Sequence, residues 1–438
     1  MGALFAFAFV LNWLSPIIME HRPDKFDKAE METLWVWVIL LGFGWACAEL
    51  ARKTKLPSFS WQLFIGIILH NALRPLMAAI NVAVIICKIL AAIILKSGGD
   101  EVERLHFKKI ALPTMMLAIP GFIIKFGITF FLLLLLNLDA KTAVLISAII
   151  GSTDPAALIP TFKNVPFKTK HKRLVDISVA ESAFNDAVGA IFTTAIGAMI
   201  LTGVDVSKIV NVATGLVSKH NLGHLGMELL VGILAGHIGG WLMRQYGKHK
   251  FINKETSYDF GIIVTLPVAV VFMASYFEGN GFLAAFIAGL AADFNRSSHH
   301  LEKSVETQET KIDSIAKPVI FMMAGPFISI NELWETAGIG FVVFLFSMIA
   351  RSIAVIVSLR LANLGMKVKM TWRETWFMCI INETGVIPIV LAVMTVAQFT
   401  ELTMLMPLTA WVVIWTLGVL PAITPWWAKI LKLTEPKP

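Results

Sequence analysis

Charge is scarce in this 438-residue chain: 15% of the residues carry one, while 57% are hydrophobic. No soluble globular protein of this length sustains that balance, so the composition excludes a soluble fold and leaves a polytopic membrane protein. Cysteine is almost missing. The three present, Cys47, Cys87 and Cys379, each fall inside an apolar run, where a free thiol is a small hydrophobe. Neither a disulfide framework nor a Cys/His metal set is available. Long polar stretches are lacking too, which leaves no room for a soluble nucleotide-binding or regulatory domain; such a domain has to come from another chain. No nucleophile with its base and no phosphate-binding loop lies at bilayer depth, which sets an intramembrane enzyme aside.

What is present is a long series of apolar runs. Read at about 17–25 residues per span, they predict helices near residues 3–19, 33–50, 58–72, 77–96, 109–136, 140–162, 173–202, 222–244, 257–276, 279–294, 315–331, 336–360, 373–398 and 402–430. The class is therefore all-α and polytopic, with about 13–14 transmembrane helices. The net charge of +7 is not a nucleic-acid signature, because its distribution alternates between loops. Residues 52–55, 96–109, 163–173, 244–254 and 360–373 are basic, as is the tail at Lys429, Lys432 and Lys437; residues 20–32 are net acidic, and the loops at Asp139, Glu278, Glu332 and Glu401 carry little positive charge. The positive-inside rule puts the basic loops in the cytoplasm, with both termini inside if all segments span. A cleaved signal peptide at the start lacks its positive n-region, so the first helix is expected to be retained.

Two of the apolar runs are interrupted in the same way. Gly151-Ser152-Thr153-Asp154-Pro155 breaks one, and Asn382-Glu383-Thr384-Gly385-Val386-Ile387-Pro388 breaks the other. Each pairs a Gly and a Pro with a Thr and an acid. Proline removes a helical hydrogen bond, and the freed carbonyls must find partners in protein or at a polar cavity. By the charge count, the triplet of helices over 109–202 starts from the cytoplasm and the triplet over 336–430 from outside, the relation that inverted repeats require. Two broken helices crossing at the midplane bring four half-helix ends together, with partial charges of about half a unit each. Asp154 can balance N-terminal ends and a cation C-terminal ends. The blander alternative is two independent proline kinks.

Between the breaks lies Ala180-Glu181-Ser182-Ala183-Phe184-Asn185-Asp186-Ala187, with two carboxylates in an apolar stretch. An ionisable residue at that depth is by default a sign of an ion or proton pathway. On a helix Glu181, Asn185, Ser182 and Asp186 fall within about 140° of one another, in two adjoining i, i+4 pairs. A cation shed of its water needs several oxygen ligands; the Asp186 carboxylate, the Ser182 hydroxyl and a freed carbonyl near Thr153 can supply them. The same carboxylate can take a proton instead, and competition of the two for one charge is the mechanism of an antiporter. Arg351, in the apolar run 341–358, cannot give up its charge and needs a buried acid; Glu181 is the expected partner with Asn185 bridging, as a lock between helices.

Lys88, Lys125 and Glu383 also sit in apolar runs. Counted at membrane depth, three bases (Lys88, Lys125, Arg351) face four acids (Asp154, Glu181, Asp186, Glu383), leaving one acid as the exchangeable charge. Lys125 is matched with Glu383 as a modulating pair across the two halves, and Lys88 either joins the count or snorkels to a headgroup. Asp176 and Asp293 line a cation funnel or are simply solvated. His171, in a basic loop, senses pH or is merely exposed.

At these residues the chain resembles the monovalent cation/proton antiporter superfamily, in particular the sodium/proton exchanger branch whose core helix carries Asn-Asp in place of Asp-Asp. The match is carried by Ser152-Thr153-Asp154-Pro155, Glu181-Ser182-Ala183-Phe184-Asn185-Asp186-Ala187, Gly281-Phe282-Leu283-Ala284-Ala285-Phe286-Ile287-Ala288-Gly289 and Ile349-Ala350-Arg351, in order, over about residues 33–430. The resemblance implies an inverted-repeat fold with two crossed broken helices, in a homodimer in the cell membrane. It divides the chain into an extra N-terminal helix and external loop (1–32), scaffold or dimerisation helices (33–108 and 203–335), core repeats (109–202 and 336–430) and a short cytoplasmic tail (431–438). It also implies elevator-like access, Asp186 as the ion- and proton-carrying acid, Thr153 and Ser182 as its fellow Na⁺ ligands, and Glu181, Asn185 and Arg351 as supporting network; Asp154 is placed with the ion- and proton-binding group beside them. Asn-Asp implies electroneutral exchange of Na⁺ (or Li⁺) for H⁺ with no cofactor. Where many relatives have Arg-Gly in the second broken helix, this chain has Glu383-Thr384-Gly385, which leaves cation choice and stoichiometry open. K⁺/H⁺ exchange, an organic-anion symporter and a cation channel are the rivals.

Overall fold

The computed structural model describes residues 2–20, 28–54, 58–75, 80–100, 104–154, 162, 165–216, 218–248, 257–292 and 316–435. The described residues form helices and turns, with one isolated antiparallel bridge between Phe167 and Thr434. The helices are α1 (Gly2–Glu20), α2 (Lys28–Thr54), α3 (Ser58–Ile68), α4 (Ile80–Asp100), α5 (Arg104–Met116), α6 (Phe122–Leu135), α7 (Ala140–Ile149), α8 (Arg173–Leu201), α9 (Ile209–Leu216), α10 (Lys219–Lys248), α11 (Ser257–Tyr276), α12 (Gly281–Ala292), α13 (Ile330–Glu335), α14 (Ala337–Gly365), α15 (Trp372–Ile380), α16 (Val386–Gln398) and α17 (Leu405–Ile430). Residues 316–323 are helical as well.

Most of the expected apolar runs emerge as helices within a few residues of their predicted ends. Among the described residues, six helices are long and apolar enough to cross a membrane: Ile80–Asp100, Lys109–Leu135, Thr169–Leu201, Gly226–Tyr246, Ala337–Gly365 and Leu405–Ile430. The two runs expected to be broken are interrupted where the sequence places the breaks. In the run 140–162, α7 ends at Ile149 and residues 150–154 are not helical, and 373–398 splits into α15 and α16 around residues 381–385. One feature was not expected: α5 and α6 are one span joined by a π-turn at Leu117–Gly121, where Pro120 cannot donate to the helical ladder. Gly121 there lets α14 approach, since a Cβ would stand 3.1 Å from the Ser358 hydroxyl.

Local chemistry sets the ends. Asp139 caps α7 by accepting the Thr142 N–H at 3.0 Å, and Thr371 and Glu374 form a reciprocal capping box at the start of α15. The long helix α8 lies centrally, against α5, α7, α12 and α16. Around it, α14 packs on the α5–α6 span, α15 and α17, while α12 is held between α4 and α10. Small residues permit that last contact: a Cβ on Gly99 or Gly289 would run into the backbone of the facing helix. Outward-facing Phe131, Leu135, Leu230, Phe272, Leu345 and Trp426 are exposed, the surface that a lipid phase requires.

Candidate ion-binding site

The two interruptions meet. The Asp154 N–H donates to the Glu383 carbonyl at 2.7 Å, and the Asp154 carboxylate accepts the Val386 N–H, the first of α16, at 3.0 Å. An anion at a helix N-terminus is favoured by both the open N–H groups and the dipole. Gly385 makes the contact possible, because a Cβ there would collide with the Asp154 side chain. The expected crossing of broken helices is thus present, with Asp154 as its fastener.

Lys125, fully enclosed in α6, holds the same crossing from the other side. Its ammonium donates to the Ile150 carbonyl at 2.8 Å, the Gly151 carbonyl at 3.1 Å and the Asn382 side-chain oxygen at 2.6 Å. The carbonyls released where α7 ends are satisfied by a side chain, as a buried break demands. All three donors are consumed, so the expected ion pair of Lys125 with Glu383 does not form; Asn382, one residue earlier, takes its place. Asn382 in turn donates to Ser347 at 3.1 Å. Lys88 is exposed on α4 and leaves the buried charge count altogether.

On α8 the acids separate into two environments. Arg351 donates to both oxygens of Glu181, at 2.6 and 2.9 Å, a bidentate pair with neither partner open to solvent. Asn185 donates to the same Glu181 carboxylate. The lock expected from the sequence is therefore built, and it exhausts Glu181. Asp186 is different: it is buried beside Ser152, with Asp154 and Glu181 acting on it by charge, and its Oδ1 has no hydrogen-bond partner. Thr153 and Ser182 touch through their hydroxyls at 2.8 Å. Both hydroxyls, the Asp186 carboxylate and the first broken segment thus converge from two elements, and the donor set is all oxygen, suited to a hard cation.

Sequence reasoning missed a second polar cluster, near the start of α8. Glu374 accepts from Arg173 at 3.0 and 3.1 Å and lies 3.1 Å from the His171 ring nitrogen. His171 is buried there, not exposed as its basic loop suggested; only the capping signature Thr371-x-x-Glu374 hinted at the partner. Asp176 is exposed, and Asp293 lies outside the described residues.

The family model described as "Sodium/hydrogen exchanger, transmembrane" matches residues 3–430. The chain belongs to the sodium/hydrogen exchanger family. The first helix, expected to be additional to the family pattern, falls inside that match. Among solved structures, this exchanger-family chain is similar to the sodium proton antiporter MjNhaP1 from Methanocaldococcus jannaschii at pH 8, with a TM-score of 0.72 and 20% identity over 93% of this chain and 99% of that one; at that identity the likeness speaks for the fold. Among curated relatives, it is 26% identical over 319 residues to the K(+)/H(+) antiporter NhaP2 of Shewanella baltica, covering 72% of this chain and 51% of the relative. It is 24% identical over 377 residues to probable Na(+)/H(+) antiporter 2 of Methanocaldococcus jannaschii, covering 83% and 84%. The chain spans about half the length of the NhaP2 relatives it matches. The family and the structural neighbour are transporters rather than enzymes.

Proposed function

We propose that this chain is a secondary antiporter that exchanges a monovalent cation, Na⁺ or Li⁺, for H⁺ at Asp186, needing no cofactor. One observation carries the reading: at the crossing of two broken helices, Asp186 keeps an oxygen with no partner while its neighbour Glu181 is fully engaged by Arg351. A carboxylate left open in a dry interior needs a positive charge, and either a proton or a cation supplies it. Thr153 and Ser182 then act as cation ligands, Asp154 fixes the crossing, and Glu181, Asn185 and Arg351 hold α8 to α14. One charge on Asp186 gives one cation for one proton at this residue, an electroneutral swap. The core repeats, 109–202 and 336–430, carry the site across against the remaining helices in an elevator-like movement, within a homodimer in the cell membrane, both termini cytoplasmic.

K⁺ is the second reading, favoured by the names of the NhaP2 relatives. Oxygen ligands accept either ion, and the choice rests on cavity size and ligand number. The test is proton flux in liposomes carrying purified protein and an internal pH dye, with Na⁺, Li⁺ or K⁺ added in turn. A cation-dependent flux that vanishes in Asp186→Asn, with the variant still folded, supports antiport and names the ion. Full activity in Asp186→Asn refutes the role of this residue.

A further inference from the structure

The exchange reading uses one unengaged acid, yet the crossing contains a second. Glu383, in the unwound stretch between α15 and α16, is completely buried, and its carboxylate meets no side-chain donor among the described residues; only the backbone N–H groups of Asn382 and of Glu383 itself act on it. The charged groups around it are accounted for. Lys125 on α6 spends its three donors on Ile150, Gly151 and Asn382. Arg351 on α14 spends both terminal nitrogens on Glu181, and its Nε reaches no acceptor at all. The Arg351 charge still acts on Glu383 from a distance, and Asp154, from the first broken segment and itself fastened to the start of α16, opposes it with a like charge. With Lys88 on the surface, two buried bases face four buried acids at the crossing, so the interior is short of two positive charges rather than one.

The backbone around Glu383 has the polarity that a cation needs. Helix α15 ends at Ile380, three residues earlier, and the last carbonyls of a helix have no partner within it. Carbonyls at the C-terminal end of a half-helix, together with a carboxylate, are oxygen donors of the kind that bind Na⁺ or K⁺ in broken-helix transporters. Asp154 occupies the N-terminal end of α16 through the Val386 N–H, which leaves the carbonyl end of α15 to Glu383.

We propose that the crossing holds a second monovalent-cation site, formed by the Glu383 carboxylate and the open carbonyls at the end of α15, distinct from the exchange site at Asp186. It rests on the antiporter reading only in that both draw on the same class of ion. The cation bound there compensates Glu383 in the dry interior, and its departure leaves the crossing with an uncompensated negative charge.

The test is equilibrium binding of ²²Na⁺, and of ⁸⁶Rb⁺ as a K⁺ probe, to purified full-length protein at alkaline pH, counted per chain. Two bound cations are expected in the wild type, one in Asp186→Asn, one in Glu383→Gln and none in the double variant, while Glu383→Asp keeps the count at two. Monodispersity and thermal unfolding check each variant; should Glu383→Gln fail to fold, the cation retained or lost in Asp186→Asn decides. A single site abolished by Asp186→Asn, with binding unchanged in Glu383→Gln, overturns the proposal and makes Glu383 a permanently neutral acid, leaving the antiport reading intact. Unaltered exchange in Asp186→Asn instead removes Asp186 as the exchange residue, and the count in Glu383→Gln still decides the second site.

Discussion

Arg351 and Glu181 form a closed unit: two parallel hydrogen bonds, no solvent, and Asn185 leaning on the same carboxylate. Truncating one side leaves the other charge buried and alone, which costs about 3–5 kcal/mol where it has been measured. Arg351→Ala is therefore expected to lower thermal stability by an amount in that range, and exchange with it, whereas the double variant Arg351→Met/Glu181→Leu should regain much of the stability because no orphan charge remains. Scanning calorimetry or a thermal-shift series on the purified variants checks this; equal losses in the single and double variants would contradict it. Gly385 is a residue of the opposite kind, important for what it lacks. Gly385→Ala forces a Cβ into the Asp154 side chain, and overpacking of this sort costs about 1–3 kcal/mol. Exchange should fall more steeply than stability, because the strain lies at the fastener itself; unchanged transport rates in liposomes would remove Asp154 from that position.

At the scale of elements, the loop before α8 is tied down twice. Glu374 at the start of α15 receives Arg173 and faces His171, and the strand-like tail after α17 bonds the same loop, through the Leu433 carbonyl to the Lys168 N–H at 3.0 Å and the Glu435 N–H to the Pro166 carbonyl at 2.9 Å. Both ties run from residues beyond 370 back to the loop at 166–173. Glu374→Ala is expected to cost about 2 kcal/mol, the loss of charged hydrogen bonds, with exchange retained; abolished transport in a folded Glu374→Ala would place this cluster in the ion pathway. Much of this level was legible in the sequence. Gly-Ser-Thr-Asp-Pro and Asn-Glu-Thr-Gly announced their breaks because glycine, proline and an acid rarely share an apolar run without one, and Glu181 with Arg351 was the pairing that burial leaves over. The partner of Lys125 was not legible, since an amide and two carbonyls satisfy an ammonium as well as a carboxylate does, and carbonyls leave no mark in a sequence. The π-turn at Leu117–Gly121 was hidden for a similar reason: Pro120 signals a disturbance of the ladder without saying whether the helix bends, ends or widens. His171 was misplaced because a basic loop suggests solvent, and its buried partner comes from 203 residues further along.

At the scale of the molecule, α8 faces α12 and α4, and α16 faces α4. The Phe184 and Phe286 rings meet across that boundary edge to face, with centroids 4.8 Å apart. Such a contact holds by apolar area and shape rather than by directed polar bonds. An elevator-like movement needs this boundary to slip, while α4 and α12, in backbone contact at Gly99 and Gly289, stay together. With the native cysteines replaced, Phe184→Cys/Phe286→Cys joined by a short bifunctional maleimide is expected to stop exchange, and a cysteine pair joining α4 to α12 to leave it running. Proteoliposome flux before and after cross-linking reads the difference; exchange that survives the first cross-link would rule out sliding along this face.

The fit of Asp154 onto Gly385 also constrains how the sequence can drift. The contact is with the Asp154 Cβ as well as with its carboxylate, so no exchange of the acid for a smaller side chain makes room at 385. While position 154 has a side chain, any side chain at 385 has to push it aside, so a change at the glycine carries a penalty until the fastener has been rebuilt. Divergent relatives that have rebuilt the crossing should therefore differ at both positions together, and a change at 385 alone should be rare among functional sequences.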